Sequence, residues 1–116
     1  MSKAVAVPLL FLSLVASVGR AQAPARTIEV HAHRYAFEPS SIIVHYGETI
    51  RLRLISDDVP HSLLIRTLGI NEAASKSHPG EILFTASQAG DFEGRCGRFC
   101  GNGHGNMHFV VHVTEN

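Results

Sequence analysis

The residues best equipped for chemistry lie together in Cys96-Gly97-Arg98-Phe99-Cys100-Gly101-Asn102-Gly103-His104-Gly105-Asn106-Met107. Two thiols, an imidazole and a thioether fall within this one stretch, whose glycines let the backbone fold around a small object. Soft sulfur donors with imidazole suit copper, Cu(I) in particular, and suit zinc almost as well. A second imidazole, His61, follows the turn signal Asp57-Asp58-Val59-Pro60.

Three simpler readings stand beside a two-cysteine copper site. Paired cysteines in an exported protein most often form a disulfide, and spacing alone does not exclude one between Cys96 and Cys100. A zinc site from Cys96, Cys100, His104 and His61 leaves Met107 unused. A mononuclear copper site uses one cysteine and leaves Cys96 surplus. The other histidines carry less. His31 and His33 share one strand face, as do His108 and His112, and exposed strand histidines are commoner than metal pairs. Asp57 and Asp58 read as solubilising loop residues.

The elements that must position these groups are short strands. Thr27 to His33 alternates in character, and Ile42-Ile43-Val44 follows the break at Phe37-Glu38-Pro39-Ser40-Ser41. After the Gly47-Glu48 turn, Thr49 to Ile55 places Ile50, Leu52 and Leu54 inward and Arg51 and Arg53 outward. Ser62 to Ile65, Ile82 to Ala86, Asp91 to Arg95 and His108 to Val113 complete the set. Between Gly69 and Gly80 the chain is polar, and Asn71 to Lys76 suits one helical turn. Short strands with Gly and Pro turns and no amphipathic helix indicate an all-β sandwich or barrel. Loops gathered at one end of such a sandwich would bring His61 to the cysteine loop.

The chain has 116 residues, enough for one core. Met1-Ser2-Lys3, the apolar run Ala4 to Val18 and the small residues Ala21 to Ala25 read as an export signal over residues 1–23, with cleavage anywhere from 21 to 25. An uncleaved membrane anchor is the alternative. Residues 26–116 are then the mature domain, in a periplasmic or other extracytoplasmic setting. Ten Lys and Arg balance ten Asp and Glu, and no basic run points to nucleic acid.

Several of these stretches together resemble a family. Gly90-Asp91-Phe92-Glu93-Gly94-Arg95-Cys96, then Cys100-Gly101, His104, Met107 and Phe109 to Val113, are similar to the copper-binding domain of cytochrome c oxidase subunit II. Asp58-Val59-Pro60-His61-Ser62 and Leu68-Gly69-Ile70 match its upstream ligand loop, so the resemblance spans about Ile28 to Val113. It implies a cupredoxin-like Greek-key sandwich and a binuclear copper A centre. By that resemblance Cys96 and Cys100 each bridge both coppers. His61 and Met107 complete one ion, and His104 and the backbone carbonyl of Arg98 complete the other. The implied function is a one-electron relay to a redox partner, a cytochrome or a terminal reductase or oxidase, with any enzyme activity belonging to an assembly. Copper delivery or storage, or an accessory role in a respiratory complex, is the alternative.

The sequence also departs from that family. Arg98 stands where the family carries an acid that helps bind magnesium, and a guanidinium cannot do so. Leu63 replaces an aromatic residue, and the chain has no Trp for the patch through which the family takes up electrons.

Overall fold

The computed structural model describes residues 2–16 and 25–115. Among the described residues, nine strands form two sheets. They are β1 (Arg26–His33), β2 (Ala36–Glu38), β3 (Ser41–His45), β4 (Thr49–Ser56), β5 (His61–Ile65), β6 (Ile70–Ala74), β7 (Gly80–Thr85), β8 (Gly90–Cys96) and β9 (His108–Thr114). One sheet runs β2-β1-β4-β7 and the other β3-β9-β8-β5-β6.

Alternation in the sequence becomes two-sidedness in the sheets. Ile50, Leu52 and Leu54 are buried while Arg51 and Arg53 face water, because successive side chains of a strand point to opposite faces. Val30, Leu52, Leu54 and Ile82 from one sheet share a core with Val44, Leu63, Ile65, Phe109 and Val111 from the other. Burying each such Leu or Ile contributes about 1.5–3 kcal/mol. Phe37 and Phe109 join the two sheets edge to face, with ring centroids 5.9 Å apart. Between β3 and β4 the turn needs the positive φ of Gly47, 83°, which a side chain would disfavour.

Two local expectations fail. Phe37 and Glu38 do not simply break the first strand: Ala36–Glu38 is a short antiparallel partner of β1. The segment expected to make a helical turn is strand β6, paired with β5 from Ile65↔Ile70 to His61↔Ala74. The open edge of β5 offers a full ladder of hydrogen bonds, and that outweighs the helix preference of Glu72, Ala73 and Ala74. The short helical turn falls earlier, at Arg66–Leu68, and ends at Gly69.

Two pairings position the loops. β1 and β4 run parallel with Ala32 opposite Ser56, so the turn at Arg34-Tyr35 and the loop of Asp57 to Pro60 leave the same end. β5 and β8 pair with Leu63 opposite Cys96, which sets His61 beside the start of the cysteine loop. The expected leader falls partly on residues 17–24, outside the described residues. Residues 2–16 form no helix or strand, and apolar Val5, Leu9, Leu10 and Phe11 are exposed. No helix among the described residues is long and apolar enough to cross a membrane.

Candidate metal centre

The predicted donors meet at this end of the sandwich. Cys96, which closes β8, has its Sγ 4.0 Å from Cys100 Sγ. His61, which opens β5, brings Nδ1 to 3.8 Å from Cys96 Sγ. His104, in a single helical turn, brings Nδ1 to 3.6 Å from Cys100 Sγ, and Met107 Sδ lies 3.5 Å from the same sulfur. The Arg98 carbonyl accepts from Cys96 Sγ at 3.1 Å, while the Arg98 side chain is exposed. His61 and Met107 are fully buried, Cys96 and Cys100 nearly so, and His104 is half-buried.

Both cysteines are free thiols. A first-row metal ion takes thiolate sulfur at about 2.3 Å, so sulfurs 4.0 Å apart can share one ion. Each thiol also has its own imidazole nitrogen nearby. Two shareable sulfurs, two imidazoles, a thioether and a carbonyl form a donor set that fits copper. Burial, then the nearby Cys96 thiol, pushes the Cys100 thiol up to about 11. Without metal the Cys100 thiol is therefore protonated at neutral pH, and binding a metal there releases its proton.

Asp58 is more than a solubilising residue. Its Oδ1 accepts from His61 Nε2 at 2.7 Å and from the Val59 N–H at 2.6 Å, and its Oδ2 accepts from the Arg34 N–H at 2.8 Å. Burial pushes this carboxyl up, but the hydrogen bonds from Arg34, His61 and Val59 outweigh it and hold it down to about 2. An ionised carboxylate can only accept. Nε2 of His61 thus keeps its proton, and Nδ1 turns its lone pair toward Cys96, the carboxylate–histidine arrangement common behind metal ligands. Ser56 Oγ donates to the Val59 carbonyl, tightening the same loop. Across the sheet, the Gly97 N–H donates to Ser62 Oγ at 3.0 Å and anchors the start of the cysteine loop beside His61.

Sequence reasoning also passed over Arg34 and Tyr35. Arg34 Nε donates to the Cys100 carbonyl at 2.8 Å. Tyr35 packs against the ligand loop: a Cβ on Gly101 would overlap its hydroxyl, and one on Gly103 would overlap its ring. Both residues reach the site because β1 and β4 are parallel, a pairing that local sequence does not announce.

Residues 6–114 match the family of the cytochrome c oxidase subunit II periplasmic domain. The chain belongs to that family. Its membership places the domain outside the cytoplasm. Cytochrome c oxidase subunit 2 of Thermus thermophilus is 28% identical over 89 residues, covering 77% of this chain and 66% of the relative. For a second subunit 2 of the same species the covered share is 53%, so the chain spans between about half and two thirds of these curated relatives. Among solved structures, the periplasmic domain of subunit II of Bradyrhizobium japonicum superposes with a TM-score of 0.71 at 20% identity, covering 78% of this chain and 85% of that one. Auracyanin A, a blue copper protein of Chloroflexus aurantiacus, superposes at 0.62 with 17% identity, covering 78% of this chain and 100% of that one. The fold is therefore cupredoxin-like, as expected.

Proposed function

We propose that this chain is an extracytoplasmic one-electron carrier whose loop end holds two copper ions between Cys96 and Cys100. The observation that carries this reading is the pair of free thiols 4.0 Å apart, each facing a different imidazole. His61 and Met107 would serve one ion, and His104 and the Arg98 carbonyl the other. Bound copper supplies a reversible one-electron couple in which no proton or heavy atom need move.

The protein's part is to keep the ligands still and dry. Asp58 fixes the ring of His61, Ser62 and Arg34 pin the two ends of the cysteine segment, and Tyr35 backs the glycines before His104. Burial of His61, Cys96, Cys100 and Met107 favours a resident metal over one handed to a partner, and so favours a carrier over a delivery protein. A cytochrome or a terminal reductase or oxidase is the expected redox partner. A potentiometric titration with metal analysis tests the reading. It predicts one electron taken up per two coppers bound, and one electron per copper would overturn it.

A further inference from the structure

Beside Cys100 a shallow groove of about 270 Å³ is lined by Arg34, Val59, Pro60, Arg98 and Phe99. Phe99 is 76% exposed, and its ring lies 5.7 Å from that of His104. Other large apolar side chains exposed in the sandwich, Ile43, Tyr46 and Leu83, lie on β3, the turn after it and β7. Phe99 is thus the exposed apolar residue of the cysteine loop, and it touches a candidate ligand. An apolar spot with a polar rim is how transient docking surfaces are built.

The rim carries one sign of charge. Arg34 and Arg98 are the charged residues of the groove, both exposed, and neither has a carboxylate partner among the described residues. The nearby carboxylates are engaged elsewhere. Asp58 accepts from Arg34 N–H, Val59 N–H and His61, and Asp57 pairs with His31 at 2.8 Å. Arg34 uses its Nε on the Cys100 carbonyl, and guanidinium groups with no carboxylate partner are suited to bind carboxylates in a two-pronged fashion.

We propose that this groove docks a redox protein whose exposed cofactor edge is rimmed by Asp and Glu. The proposal rests on the electron-carrier reading and adds the partner's chemistry. Phe99, Val59 and Pro60 form the apolar centre of the contact, Arg34 and Arg98 select an acidic rim, and His104 links Phe99 to the metal ligands. One electron passes between the partner's cofactor and the copper site, with one centre oxidised as the other is reduced.

Stopped-flow mixing of the copper-loaded full chain with an acidic c-type cytochrome and with a lysine-rimmed one tests this. The acidic cytochrome is expected to react about tenfold faster or more at low salt, with the gap closing as ionic strength screens the charges. Arg98→Glu, which keeps the backbone carbonyl, should reverse the preference. Arg53→Glu, at an exposed site on β4, should leave it. Equal rates, or a faster lysine-rimmed cytochrome, would overturn the proposal. NMR mapping of the acidic cytochrome on the metal-free chain separates docking from copper chemistry. Shifts at Arg34, Val59 and Phe99 support the groove even if copper loading fails, and shifts confined to other faces refute it.

Discussion

Replacing Gly103 with alanine drives a methyl group into the ring of Tyr35. The added Cβ would lie 2.5 Å from Cγ and 2.9 Å from Cε2, and closer still to Cδ2, well inside contact distance, so the ring or the loop must move. The backbone itself accepts alanine, since Gly103 has φ −91° and ψ 11°. Overpacking of this kind costs about 1–3 kcal/mol, and the stiffer unfolded chain returns about 0.4–1 kcal/mol. The net expectation is a loss of about 1–2 kcal/mol, measured by denaturant unfolding of the metal-free protein. Because Tyr35 is half-buried, its ring can yield toward solvent, which keeps the loss near the lower end. In a Tyr35→Ala background only the effect on the unfolded chain remains, so the same change should stabilise by about 0.4–1 kcal/mol, a coupling of about 1–3 kcal/mol in the double-mutant cycle. Gly105→Ala, where a Cβ meets nothing within 4 Å, should stay within about 0.5 kcal/mol of wild type. Wild-type stability of Gly103→Ala, or an unchanged loss without the Tyr35 ring, would refute the packing argument.

Asp58→Ala leaves His61 Nε2 and the N–H groups of Arg34 and Val59 without their acceptor. It should cost about 1–3 kcal/mol in unfolding and lower copper affinity by about 10–100-fold in a competition titration. His31 is held above its ordinary 6.5 by hydrogen bonds to Asp57 first and Glu29 second. Its small contribution is therefore fully present below pH 6.5 and lost as pH rises through the higher folded value. His31→Gln should flatten stability against pH in that window, and a curve unchanged from wild type would count against the ion pairs. Cys96→Ser should fold and bind a single copper through His61, Cys100, His104 and Met107, by metal analysis and absorption. Cys100→Ser should bind more weakly, because it removes the sulfur nearest His104 and Met107.

The strands were legible where burial is one-sided. The alternation of Ile50 to Leu54 and the turn at Gly47 mark β4, and the turn at Gly90 marks the start of β8, since side-chain period and positive-φ glycines are local properties. β6 was not legible, because its conformation comes from the open edge of β5 rather than from Asn71 to Ala74. The donors were legible by type and spacing, and His61 by a loop motif. Asp58, Arg34 and Tyr35 were not, because their roles depend on β1 lying parallel to β4. Arg98 departs from the family's residue in the sequence alone, but only the fold sets it beside Arg34 and Phe99 in one groove.

Electron paramagnetic resonance of the fully copper-loaded chain shows whether Cys96 and Cys100 together hold two coppers as one electronic unit. Hyperfine coupling spread equally over two copper nuclei is expected, and coupling to a single nucleus at full loading would contradict the two-copper site.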